Sequence, residues 1–345
     1  AQRGMYLHPT YAITPQREPL GVLDAWMWAR EFKDAEGQRG GEPESRRWQE
    51  GYERVAELAT ALPDTRLIYL ADREADILAL MIRARDLEHP ADWLIRAKHN
   101  RALPDGEGEK LWARVLATEP LGEIRFTLPP GRGRRSREVR QALYAHRVSV
   151  SDRRGGRVEA TCVIAREIDA PAGVKPIEWR LLTNRRAETL EAAVELVDWY
   201  RARWEIELLF LALKVGCRVE ALQLSTIQRL ERTLILYLII SWRIARLKYL
   251  GRTSPELDAS GVFETEEWQA AYLLAKKPVP THPPPLYEVV RLIARHGGFI
   301  GRNSDGEPGL KSLWIGLQRV RDVVIGMQHV RERSEGEDSE AADTI

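Results

Sequence analysis

Cysteine is nearly absent from this chain: Cys162 and Cys217 are the only two, far apart and outside any CxxC or Cys/His pattern. That argues against a disulfide scaffold or a structural zinc and fits a reducing compartment. Long apolar runs are lacking too. The longest candidate, Thr233 to Trp242, falls short of the roughly 18 residues that a membrane span needs, and the opening residues have no signal-peptide layout. The expectation is a soluble intracellular protein with no membrane partner. An excess of one charge is also missing, since 52 Lys and Arg stand against 51 Asp and Glu for a net +1. No global basic field announces nucleic acid, so any such binding rests on local patches. With 345 residues the chain exceeds one small core and predicts two or three subdomains.

What is present is organised around one stretch, Ala187 to Lys214, whose spacing predicts a single helix. Tyr200, Arg203, Glu207 and Lys214 follow one another at intervals of 3, 4 and 7 residues, which on a regular helix puts them within about 60° of each other. Val194, Leu208, Leu209 and Leu213 fall on the opposite, apolar side. A carboxylate between an aromatic and two cations has two readings: an intrahelical ion-pair network, or one part of a metal-assisted phosphoryl-transfer site.

Upstream, Met5 to Thr14 and Leu20 to Arg30 alternate as two strands around a Pro15 to Pro19 turn, and 48–62 has helical spacing. The strand pattern begins at the first residues, and the expectation is the downstream part of a longer chain. Leu67 to Ala71 reads as a buried parallel strand, followed by Asp72-Arg73-Glu74-Ala75-Asp76 and a helix, Ile77 to Arg85. Asp72 is either a helix N-cap or, at the carboxyl end of a central strand, a divalent-metal ligand. Trp93 to Lys98 is a further strand that ends on Arg96 and Lys98. Residues 99–186 read as short strands, with a Gly131 to Arg137 loop that is either a solvated turn or a phosphate-backbone contact. After Lys214 four helices are predicted (226–247, 265–274, 286–295 and 312–329), and the acidic residues from Arg331 on read as disordered.

Tyr200, Arg203, Glu207 and Lys214, taken with Asp72 to Asp76, resemble the signatures of the DDE transposases of the insertion-sequence-four, Tn-five-like group. Leu94 to His99, Trp179 to Thr183 and Ile293 to Phe299 extend the likeness, in the same order, to about Met327. The resemblance implies an α/β fold: an RNase H-like mixed sheet lacking its first strand, with an inserted β subdomain and a C-terminal helical region. It divides the chain into core (1–98), β insertion (99–186), last catalytic helix (187–215), dimerisation-like helices (216–330) and acidic tail (331–345).

The activity it implies is cut-and-paste DNA transposition, in which two divalent ions, Mg or Mn, about 4 Å apart, drive in-line displacement at phosphorus. Asp72 and Glu207 are then the second and third metal-binding carboxylates. Tyr200, Arg203, Lys214, Arg96 and Lys98 hold DNA phosphates, and Trp179 and Trp204 meet bases, although a Trp in a strand or helix is also ordinary core. The implied partners are transposon-end and target DNA and a second copy bound through the C-terminal helices, in a bacterial-type cytoplasm near the nucleoid. The family's first Asp is expected upstream of Met5 to Thr14, and Asp24 falls in a strand where no ligand is expected. The expectation is therefore a truncated or decayed copy with impaired catalysis. Two rival readings are an RNase H-like nuclease and a non-catalytic, transposase-derived inhibitor.

Overall fold

Period-two alternation at the start of the chain gives a hairpin, β1 (Tyr6–Ile13) and β2 (Pro19–Trp28), which forms a two-stranded sheet of its own. Thr14 closes its turn, its side-chain oxygen accepting from Glu18 N at 3.0 Å and its carbonyl from Arg17 N at 2.8 Å. The computed structural model describes residues 5–29, 36, 43, 45–105, 108–128, 130, 135–151, 155–302 and 305–342, with side chains as far as 333. The chain divides into two units, one of Ala1–His8 and Trp26–Trp204, the other of Pro9–Ala25 and Glu205–Ile345.

In the first unit the order is α1 (Arg46–Ala61), β3 (Ile68–Ala71), α2 (Leu78–Asp86), β4 (Asp92–Arg96), α3 (Leu111–Leu116), β5 (Gly122–Leu128), β6 (Arg137–Ser151), β7 (Arg157–Ile168), β8 (Glu178–Thr183) and α4 (Leu190–Ala202). The strands make one mixed sheet in the order β3-β4-β8-β7-β6-β5. Because α2 lies between them, β3 and β4 run parallel, while each later pairing is antiparallel. The strands expected within 99–186 thus add directly onto β4. One helix there, α3, was not expected: Leu111 and Val115 are buried, and Asn100 Oδ1 accepts from Trp112 N at 3.0 Å to start it. Residues 131–134 of the Gly/Arg loop lie outside the described residues.

Side-chain alternation divides the packing between two faces. Tyr69, Ala71, Trp93, Ile95 and Leu182 join α1, α2 and α3 in one cluster, whereas Ile68, Leu70, Leu94, Leu181 and Val163 pack with α4 in another. Tyr52, Trp93, Leu80 and Met81 are fully enclosed, and each apolar side chain of that size contributes roughly 1.5–3 kcal/mol when removed from water. Polar ties fix the register: Thr183 Oγ1 donates to Trp93 O at 2.6 Å, and Trp93 N donates to Asn184 Oδ1 at 2.9 Å. An ion pair with Arg137 spans β6 and β7 and holds the buried Glu167 carboxyl below the usual range.

The second unit contains α5 (Glu205–Leu211), a π-type turn over Ala212–Gly216, α6 (Ile227–Thr253), α7 (Thr265–Leu274), α8 (Leu286–His296) and α9 (Leu310–Ala342). Trp242 Nε1 donates to Pro19 O at 3.0 Å and Tyr249 Oη to Gln16 O at 3.2 Å, so side chains of α6 hold the hairpin turn. The apolar stripe of α8, Leu286, Val289, Val290 and Ile293, lies at helical spacing in the buried cluster. Helix α9 differs from expectation, since it continues through 331–342 where disorder was predicted. Once a helix is nucleated, Arg, Glu and Ala propagate it at little cost, and Arg331 pairs with Glu266 at 3.3 Å.

Candidate nucleic-acid and catalytic site

The carboxyl ends of β3 and β4 bring the first predicted residues together. Ala71 is level with Ile95, Ile95 with Leu182, and Arg96 with Leu181; Ala97 N donates to Arg180 O at 2.7 Å, so pairing continues past the strand end. Residues 68, 70 and 72, 94 and 96, and 179 and 181 therefore share a face, the one packed with α4. Asp72, Arg96 and Trp179 thus stand along one edge of that face. Asp72 is in extended conformation and caps the short turn Arg73–Ala75, its Oδ1 accepting from Glu74 N at 2.8 Å. The capping reading of Asp72 is thus realised, and it engages one oxygen of a half-exposed carboxylate. Burial, and then the charge of Asp72, raise the Tyr69 phenol above its ordinary range.

Two further acids of this motif are tied down. Glu74 pairs with Arg47, whose guanidinium lies 5.3 Å from the Trp28 ring and 5.5 Å from Trp48. Asp76 is enclosed, with 0 % of its side chain exposed. Its Oδ2 accepts from Lys98 N at 2.6 Å and His99 N at 2.8 Å, and its Oδ1 meets Arg101 Nη1 at 2.6 Å. Lys98 itself is exposed, two residues beyond Arg96. Neither Asp76 nor Arg101 is singled out by sequence; the signal for Asp76 is its place as the second Asp of the same acidic motif.

Trp179 is half-buried and stacks on Phe126, with ring centroids 6.0 Å apart and 14° between planes. Arg201 lies 5.1 Å from the Phe126 ring. One side of Trp179 is thus taken by protein, and Phe126 is a neighbour that sequence reasoning did not supply. Trp204 is 64 % exposed.

The helix predicted from Ala187 to Lys214 is not continuous. It begins after Thr189, whose side chain accepts from Ala192 N, and α4 ends at Ala202. Arg203 N then bonds Tyr200 O at 3.2 Å and Trp204 N bonds Arg201 O at 3.1 Å, tightened contacts of i to i+3 type that close the helix. A new helix, α5, opens with Glu205 and Glu207 in its first turn, where the peptide dipole favours carboxylates. At the far end Cys217 N reaches back to Ala212 O at 3.0 Å, the wider spacing of a π turn, and Lys214 sits within that turn. The expectation of one continuous helix is therefore corrected: Tyr200 lies in α4, Arg203 at its C-terminal cap, Glu207 in α5 and Lys214 in the π turn.

Tyr200 lies on the buried face of α4 with Ala193, Leu196 and Val197, not on a polar side. Its phenolic oxygen has no hydrogen-bond partner among the described residues, and Arg203 lies 5.8 Å from its ring. A buried hydroxyl of this kind is a donor suited to an anionic oxygen. In the second unit Glu207 is exposed, and Lys214, 56 % exposed, pairs with Glu220 at 3.2 Å.

Among the described residues no three His, Cys, Asp or Glu side chains converge as a metal-binding group. Asp72 and Glu207 stand in different units, and these residues do not by themselves make up a three-carboxylate set. Nor is any helix among the described residues long and apolar enough to cross a membrane.

Comparison with known families matches residues 50–243 to the transposase DDE domain and residues 239–337 to the transposase Tn5 dimerisation domain. The first match spans β3, β4, the β strands and α4 to α6, and so carries both Asp72 and Glu207; the second runs from within α6 to α9. The DDE domain implies the RNase H-like fold for the mixed sheet, and the family uses divalent metal ions. The two domains together imply DNA binding and dimerisation. The chain belongs to the DDE transposases, of the Tn5-like type, and is a DNA transposase by family.

Proposed function

We propose that this transposase works by cut-and-paste, nicking transposon ends, forming hairpins and joining ends to target DNA, with Asp72 and Glu207 as its catalytic carboxylates. Arg96, Lys98, Tyr200, Arg203 and Lys214 hold DNA phosphates, and Trp179 and Trp204 contact bases. The catalytic core comprises 1–98 and 187–215, the β insertion 99–186, and 216–330 pairs two copies on DNA. The observation that carries the reading is the buried phenol of Tyr200, without a hydrogen-bond partner among the described residues, beside Arg203 and packed on the sheet face where Asp72 and Arg96 end. A phosphate oxygen would accept from that hydroxyl while the guanidinium offsets its charge.

Mg or Mn is the ion of this reading. The described residues form no three-carboxylate set. The basic residues offset phosphate repulsion and fix the strand, and Trp204 offers a stacking face.

The test is end nicking with manganese, on duplexes carrying the DNA that flanks the gene. Cleavage that falls by at least about a thousandfold in both Asp72→Ala and Glu207→Ala, with duplex affinity retained, is the expected result. Cleavage unchanged in either variant would overturn the assignment of that residue.

A second reading, a dimerising inhibitor without catalysis, is favoured by the dimerisation-domain match, which lies beyond both carboxylates. It predicts no nicking by the wild-type chain and loss of activity in an intact relative on mixing.

A further inference from the structure

We infer that Asp76 is a positioning residue for DNA contact: it holds the chain after β4 so that Arg96 and Lys98 stay beside Asp72. The inference rests on the reading of that strand edge as a DNA-contacting rim.

A carboxylate closed off from water needs its charge balanced by nearby donors. Among the described residues the groups that balance Asp76 come from the chain after β4: the amides of Lys98 and His99 donate at 2.6 and 2.8 Å, and the Arg101 guanidinium makes an ion-pair contact at 2.6 Å. Arg101 Nη2 also donates to the main-chain oxygen of Asp76 at 3.0 Å, so it grips side chain and backbone together. Asp76 is joined in turn to Asp72 by one short turn, in which Ala75 N bonds Asp72 O at 3.2 Å and Asp76 N bonds Arg73 O at 3.4 Å. The segment 72–76 is thus a bracket. One end is the half-exposed carboxylate after β3; the other fixes the backbone amide of Lys98, whose side chain is exposed. Sheet pairing positions Arg96 through Leu181, and Ala97 N bonds Arg180 O, but Lys98 and His99 lie past the last paired strand residue. The carboxylate of Asp76 takes over there.

A purely structural role gives the opposite sign in one measurement. Neutralising an acid close to a DNA-binding surface removes repulsion and, by itself, tightens binding. If Asp76 positions Lys98, neutralising it instead weakens binding and removes a phosphate contact. The full-length chain is titrated against a short fluorescein-labelled duplex over a salt series, as wild type, Asp76→Asn, Lys98→Ala and the double variant.

Asp76→Asn is expected to weaken affinity about tenfold and to lower the slope of log K against log salt by about one. Lys98→Ala is expected to do the same alone and to add little in the Asp76→Asn background, since the two changes remove one contact. Unchanged or tighter binding by Asp76→Asn, or full additivity of the pair, overturns the inference. If Lys98→Ala in the wild-type background leaves affinity and slope unmoved, the rim reading fails and the inference with it; if Lys98→Ala weakens binding while Asp76→Asn does not, the positioning role alone fails. Thermal melts report folding. Should Asp76→Asn not fold, Arg101→Gln, which leaves the carboxylate its two amide donors, is expected to shift affinity and slope in the same direction by less, and no shift overturns the inference.

Discussion

Two polar stretches are read as meeting DNA, and they are held in different ways. At the carboxyl ends of β3 and β4 the backbone around the functional side chains is fixed by specific polar contacts, the exposed Asp72 cap and the enclosed Asp76 cluster, while Thr183 and Asn184 tie the register at Trp93. From Glu205 to Gly216, Glu207 and Lys214 are exposed on a segment with two helix irregularities, a fresh start at Glu205 and a π turn at Ala212–Gly216. The first region is positioned by hydrogen bonds that few residues can replace. The second depends on how the helices beneath it pack, so substitutions far from it in sequence should affect it more than those at its own surface.

The largest effect should come from that packing. A Cβ on Gly316 of α9 would overlap the carbonyl oxygen of Ile293 in α8, and a Cβ on Gly297 would overlap that of Ser312. Backbone cannot yield as a side-chain tip does, so Gly316→Ala should cost about 2–4 kcal/mol despite alanine's better helix propensity. Denaturant melts would show it, together with loss of dimer by sedimentation. An unaltered midpoint would mean that the helices are free to slide and that the Glu205 to Gly216 stretch does not depend on their packing.

Next in size is a change with opposite signs for stability and binding. Tyr200→Phe removes a buried hydroxyl that has no partner among the described residues, so stability should rise by up to about 1 kcal/mol. Duplex affinity should fall about tenfold, or about 1.4 kcal/mol, if a phosphate takes that donor. A loss of stability would show that the hydroxyl is satisfied within the protein.

How far the sequence disclosed this arrangement depends on the range of the deciding contact. Helices α1 and α8 and strand β3 follow from local periodicity, and Asp72 was visible as an acid after a buried strand. The break after Ala202 was not legible, because DWYRARWEIE contains no Gly or Pro; whether Arg203 N reaches three or four residues back is settled by packing that places Tyr200 in the core. The Asp76 carboxylate meets residues 22 and 23 further on through backbone amides, which carry no side-chain signature, and only Arg101, 25 further on, reaches it with a side chain. The Phe126 and Trp179 stack depends on sheet register, and a one-residue slip would turn every side chain to the other face.

The smallest effect on stability belongs to Lys214. Its ammonium and the Glu220 carboxylate are both mostly exposed at 3.2 Å, and pairs of that kind contribute less than about 1 kcal/mol. Lys214→Ala should therefore leave the melting midpoint within about 0.5 kcal/mol of wild type. If the π turn aims this side chain at a phosphate, the salt slope for duplex binding should nonetheless fall by about one. Glu220→Ala sharpens the comparison, because it frees the lysine from its partner and removes a negative charge, and affinity should rise. If both variants leave the slope unchanged, the exposed pair is only a surface ion pair; the π turn then has no part in DNA contact, and positioning by hydrogen bonds at the strand ends carries the phosphate contacts alone.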